Sequence, residues 1–272
     1  MPSSDQGTGA GRFIIFSLPR CGSTTLARTL SLYPGIRCAL EPFIPENEDW
    51  NHLKVSDVKA LDLALTEIWG SYNGIKHVWY DDWPFGEALD LNRALIQRPD
   101  VKTIFLTRRN ELRRVVSTEM SWQTNIWGKC TETDRERARL HDYEPLSVPK
   151  IEAQMRAVAS GIADLRDSLR TAGVSFLEMQ YEDLLADEVF LADRLRLIDR
   201  LREFIGAPRE YDARIDFAAA RLLDPAMNKL NMTDTYQRIP NIAEIERRFG
   251  SDESGWLFRE FPARKTRLEP LP

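Results

Sequence analysis

Apolar positions along the chain follow two alternating patterns. Short uninterrupted runs, "RFIIFSL" (12–18), "IRCAL" (36–40), "NGIKHVWY" (73–80), "VKTIFLT" (101–107) and "GVSFLEM" (173–179), have the length and composition of buried strands. Between them, apolar residues return at three- and four-residue steps, the period of a helix with one covered face. Leu26, Leu30 and Tyr33 mark the first helix, which "YPG" (33–35) stops. Leu61, Leu65 and Ile68 predict a helix over 56–69. "FGEALDLNRALIQ" (85–97) predicts another, stopped by Pro99, and "RNELRRVVSTEMSWQ" (109–123) a third. Ile151, Met155, Val158, Ile162, Leu165 and Leu169 predict a long amphipathic helix. "YEDLL" (181–185) opens a further helical region that ends near "FIGAP" (204–208), and "NIAEIERRFG" (241–250) is a short one.

Strands that alternate with helices predict an α/β domain with a central, mainly parallel sheet flanked by helices. Ligands in such sheets bind beyond the C-terminal strand ends. The junctions at 18–23, 41, 79–83 and 107–110 are therefore expected to share one crevice. The pattern predicts a single domain over 12–272, a flexible tail over 1–11, and a mobile loop in the polar stretch 128–148. A length of 272 residues with 43% hydrophobic and 29% charged residues suits one globular unit. The net charge of −5 argues against a general nucleic-acid binder, and no stretch is apolar for long enough to span a membrane. The three cysteines form neither a disulfide framework nor a zinc pattern, so a cytoplasmic setting is expected.

The chemistry concentrates where the first strand meets the first helix. A triphosphate-binding loop reads G-x-x-x-x-G-K-[ST]. Residues 17–24 read S-L-P-R-C-G-S-T, with Ser17 at the first glycine, Gly22 at the second and Ser23 at the lysine. The domain is thus P-loop-like, with the loop lysine replaced. Backbone N–H groups at a helix start still attract an anion. Ser23, Thr24 and Thr25 add hydroxyl donors, and Arg20 adds a fixed cationic fork. Magnesium at a triphosphate site usually needs an acid at the end of a neighbouring strand. "VKTIFLT" runs instead into Arg108 and Arg109, so no metal is expected. Arg109 and Ser117 stand eight residues apart, a little over two helical turns, and with Arg113 fall along one face. They suit a second phosphate. Arg114 is expected on a solvated face.

These stretches resemble the PAPS-dependent sulfotransferases, where PAPS is 3′-phosphoadenosine-5′-phosphosulfate. "PRCGST" (19–24) is similar to the 5′-phosphosulfate loop of the bacterial, carbohydrate-directed branch. "RNELRRVVS" (109–117) is similar to the 3′-phosphate motif, and "YEDLLAD" (181–187) with "REFIGAP" (202–208) to later family stretches. "EPF" (41–43) follows the first helix as in that branch. The resemblance covers about 12–210 and implies transfer of a sulfonyl group from PAPS, without a metal, to a hydroxyl of a carbohydrate, lipid or other small molecule. It implies that Arg20, Cys21 (through its backbone), Gly22, Ser23, Thr24 and Thr25 hold the phosphosulfate. Arg109 and Ser117 would hold the 3′-phosphate, with Ser117 also able to touch Arg20. Cys21 replaces the family's usual serine, and Thr25 the tryptophan that many cytosolic members place against adenine. Lys229 and Arg238 are candidates for a C-terminal phosphate contact by charge only.

Glu41 is the first choice for the general base, at a predicted strand end and matching the branch's glutamate. His77 is the second, by a looser similarity to the cytosolic Lys-Thr-His stretch. Asp81 and Asp82 are further candidates for meeting the acceptor. Four of seven tryptophans fall between 50 and 83, and Trp122 and Trp127 flank 128–148, as aromatic walls for an acceptor or as core. Two other readings stand beside this one: a magnesium-dependent phosphotransferase using a nucleoside triphosphate, and a nucleotide-binding module without catalysis.

Overall fold

The computed structural model describes residues 10–44, 47–50, 52–79, 90–127, 131–208, 212–225 and 233–259. Five strands make one sheet: β1 (Phe13–Ser17), β2 (Cys38–Leu40), β3 (Gly74–Val78), β4 (Lys102–Thr107) and β5 (Phe176–Gln180). Their order is β2-β3-β1-β4-β5, and every pairing is parallel. The fold is therefore α/β with an all-parallel sheet flanked by helices, consistent with a P-loop-like domain. Residues 13–16 are uniformly apolar because β1 is central and covered on both sides. Phe13 and Ile15 join one core, and Ile14 and Phe16 the other.

The helices divide accordingly. The first core is closed by α1 (Ser23–Leu30), with α8 (Leu191–Ile205) and α9 (Ala213–Leu222) further along the chain. The second is closed by α2 (Val58–Trp69), α3 (Leu91–Ile96) and the later turns of α6 (Val148–Thr171). A third core joins α4 (Glu111–Thr124) to the first turns of α6 and to α11 (Ile242–Phe249). Short helices α5 (Glu132–Leu140), α7 (Tyr181–Leu185) and α10 (Thr233–Tyr236) complete the set described.

The strands and long helices fall within a few residues of the sequence expectations. Four differences have local causes. Residues 131–140 are not loop: Thr131 and Asp134 form a reciprocal capping box that starts α5, and Tyr143 and Leu146 beyond it are buried. The helix expected over 85–97 is described from Leu91, where the Asp90 side chain accepts from Arg93 N–H, and 85–89 lie outside the described residues. Of the expected tail, 1–9 lie outside the described residues, but Ala10 is buried and Gly11 N–H donates to Ile205 O at 2.9 Å. Helix α9 was not expected, because only Ala219 of its residues is buried and its apolar signal is weak. Among the described residues no helix is long and apolar enough to cross a membrane.

Candidate functional site

The strand order places β1 between β3 and β4, so the crevice at the C-terminal edge opens where β1 ends. The chain leaves Ser17 and turns into α1 through two left-handed residues, Arg20 (φ 63°) and Gly22 (φ 79°). Gly22 precedes the first turn of α1, and no side chain caps that helix start. Asp57, Asn110 and Ser147 do cap α2, α4 and α6. Cys21 turns inward, 1% exposed, and burial pushes its thiol up to about 12. Ser23 is buried at the helix start, with Thr24 and Thr25 half-buried after it. Ser17 is fully buried, and its Oγ has no hydrogen-bond partner among the described residues.

Arg20 and Ser117, 97 residues apart in the chain, meet here: Arg20 Nε donates to Ser117 Oγ at 3.1 Å. Arg20 Nη1 donates to Trp127 O at 3.0 Å. Arg108 engages the loop and the start of α7. Its Nη1 donates to the carbonyl of Arg20 at 3.0 Å, and its guanidinium lies 4.3 Å from the ring centre of Tyr181. It fixes the loop from below.

Helix α7 braces both halves of the site. Tyr181 and Leu185 press on the loop at Gly22, where a Cβ would lie 2.6 Å from Leu185 Cδ1. Glu182, 8% exposed, accepts from the N–H groups of Arg109 and Asn110, both at 2.9 Å. The "YEDLL" stretch therefore ties the loop to the β4–α4 turn that carries Arg109. Sequence reasoning placed that stretch but gave it no role; an acid directly after a strand, opening a helix, was the available signal.

Arg113 is engaged apart from Arg109 and Ser117. Arg109 sits half-buried in the turn before Asn110, the N-cap of α4. Arg113 donates to Leu257 O from Nε (3.1 Å) and Nη2 (2.7 Å), holding the C-terminal segment against α4. That segment also takes Leu112 N–H on Ser254 O and Asn110 Nδ2 on Trp256 O. Arg114 is not solvated: it is 3% exposed and grips Glu111 through Nε and Nη2 at 2.8–3.0 Å. Arg238 is exposed, and its charge acts on Tyr143; Lys229, Asp81 and Asp82 lie outside the described residues.

The two candidates for the base separate by sheet face. Glu41 follows β2 in the left-handed region (φ 49°), with its N–H on Lys76 O at 2.8 Å and its carboxylate ion-paired with Lys76 Nζ. Its side chain is 28% exposed, against 4% for Lys76. His77 points to the opposite face. It is 1% exposed between Phe16 and Phe43, with Nε2 2.9 Å from Asn92 Oδ1. Burial pushes it down to about 4. Lys76 was missed by sequence reasoning, although a lysine inside the buried strand "GIKHV" was a visible anomaly.

Three tryptophans lie near the ends of β3 and α4. Trp79 N–H donates to Ser17 O, and its ring takes the space a Cβ on Gly161 of α6 would need. Trp122 and Trp127 meet edge to face at 4.6 Å, and Trp122 is 58% exposed. No family model matches this chain, and no curated protein matches it.

Proposed function

We propose that the chain is a PAPS-dependent sulfotransferase acting on an alcohol, carbohydrate or other small hydroxyl-bearing molecule. The observation that carries this reading is the bond from Arg20 to Ser117, because it draws two anion-binding stretches distant in sequence into one site. The donor set fits a doubly charged adenine nucleotide. The uncapped start of α1, the hydroxyls of Ser23, Thr24 and Thr25, and Arg20 suit its phosphosulfate end. Arg109 and Ser117 suit its 3′-phosphate. PAPS supplies an activated sulfonyl group whose departure leaves negative charge on a phosphate.

The chain supplies the rest. Arg20 and the loop N–H groups stabilise that developing charge, which needs no reorganisation when donors are already fixed. Glu41 receives the acceptor's proton. It is preferred over His77 because it stands partly exposed at a strand end, whereas the histidine is sealed in the core with one nitrogen engaged by Asn92. The free thiols of Cys21 and Cys38 suit a reducing, cytoplasmic setting.

Calorimetry with adenosine 3′,5′-bisphosphate, 5′-AMP and ATP with magnesium tests the reading. The bisphosphate is expected to bind at least about tenfold more tightly than 5′-AMP, since a charge-assisted hydrogen bond contributes roughly 1.5–3 kcal/mol. Arg109→Ala is expected to erase that preference. Tighter binding of ATP with magnesium, or indifference to the 3′-phosphate, overturns it. A screen of hydroxyl acceptors with labelled PAPS then identifies the substrate.

A further inference from the structure

Lys76 and Glu41 are joined twice. Leu40 of β2 stands opposite Lys76 of β3, and the next residue, Glu41, donates its N–H to Lys76 O. The side chains then form the ion pair. Lys76 leaves the sheet on the face that α1 covers, beside apolar Ile15 of β1. An ion pair in such surroundings is a poor source of stability, because desolvating both charges offsets most of their attraction. Replacing both partners by apolar residues of similar volume would cost the fold little, whereas removing one alone strands the other. Glu41 is also held in a backbone region that costs a non-glycine residue about 1–3 kcal/mol. Two unfavourable features thus converge on one partly exposed carboxylate just past the C-terminal end of β2.

The groups facing Lys76 sharpen the point. Burial pushes its ammonium down from the usual lysine value, and Arg20 of the loop and Arg28 of α1 push the same way. Cys38 of β2 and Cys21 of the loop are thiols that burial holds protonated. His77, the next residue of β3, is neutral on the other face. Among the described residues, Glu41 is the carboxylate ion-paired with this lysine. The positive charge of Lys76 and the negative charge of Glu41 therefore depend on each other.

We propose that Lys76 is a positioning residue that keeps Glu41 ionised and aimed into the crevice, ready to take a proton. This rests on the reading of Glu41 as the base. When the acceptor hydroxyl is deprotonated, its O–H bond breaks, its proton passes to a Glu41 oxygen, and Lys76 keeps its own proton. Lys76 touches no reacting atom in this scheme.

Carbon-13 NMR of glutamate side-chain carboxyls tests the linkage without any acceptor. Glu41 is assigned by the resonance lost in Glu41→Gln. Lys76→Met is expected to raise the pH at which Glu41 titrates by about one unit or more, the effect of losing an adjacent cation. Lys76→Arg is expected to restore at least half of that shift, and Lys76→Gln, which keeps the chain length, to behave like Lys76→Met. Far-ultraviolet circular dichroism verifies the fold of each variant. Titration of Glu41 at the wild-type pH in both neutral variants, or no recovery with arginine, overturns the proposal. Full sulfonyl turnover by Glu41→Gln overturns the base assignment instead, and leaves the measured linkage intact.

Discussion

Arg20 Nε and Ser117 Oγ lie 3.1 Å apart, so the left-handed turn after β1 and the second turn of α4 share a hydrogen bond. The bond fixes a guanidinium that also holds Trp127 O, just beyond the C-terminus of α4. The loop after β1, α4 and the segment beyond it are thus joined through one side chain. Truncating either partner disturbs both.

That coupling is measurable by a double-mutant cycle. Arg20→Ala is expected to weaken adenosine 3′,5′-bisphosphate binding by roughly 10- to 150-fold, the loss of a charge-assisted contact. Ser117→Ala is expected to weaken it less. The double variant should fall short of the summed losses by about 0.5 kcal/mol or more, as contacting residues do. Strictly additive losses in calorimetry would show that the two side chains act on the ligand separately.

The brace at α7 predicts a second effect at a distance. Glu182→Ala strands the N–H groups of Arg109 and Asn110 in a buried turn. Each orphaned donor costs about 1–3 kcal/mol. The variant is expected to melt well below the wild type and to lose bisphosphate affinity, while Glu182→Gln, which keeps one acceptor oxygen, sits between. Affinity unchanged in a folded Glu182→Ala protein would dissociate the brace from the site.

The strands were readable because a sheet covered on both sides demands uninterrupted apolar runs, and β1 is such a run. The loop was readable because its backbone turn requires Gly22 and its charge requires Arg20. What was not readable depends on partners chosen in three dimensions. Arg108, Arg113 and Arg114 look alike in the sequence, yet one pins the loop carbonyl, one holds Leu257 and one pairs with Glu111. Helix α5 was hidden because its residues are mostly polar, although the Thr131–Asp134 capping box was a legible start signal. Lys76 was hidden because its meaning lies in Glu41, the residue that follows the neighbouring strand β2.

Gly22 and Gly173 offer a controlled comparison. Both have positive φ, 79° and 62°, but only Gly22 has a neighbour within 4 Å of a built Cβ. Gly173→Ala is expected to cost only the left-handed penalty of about 1–2 kcal/mol. Gly22→Ala adds the collision with Leu185, an overpacking cost of about 1–3 kcal/mol. Urea denaturation should therefore rank the alanine at 22 clearly below that at 173, and equal losses would mean that α7 yields freely.

His77 gives the protein a pH dependence with a defined sign. Burial depresses it to about 4 in the folded state, against 6.5 for the ordinary side chain. Its Asn92 partner opposes the shift without cancelling it. Above pH 6.5 both folded and unfolded chains hold it neutral, and it takes nothing from stability. As pH falls below 6.5, the unfolded chain gains a proton that the folded chain refuses, so stability declines until about pH 4, where both are protonated. Between pH 7 and 5 the loss from this residue is about 2 kcal/mol. His77→Asn removes the proton-binding group, so its unfolding free energy should fall less over that interval than the wild type's by this amount. Parallel pH dependence of the two proteins in urea titrations would place the imidazole in contact with solvent, and would reopen its candidacy as the base.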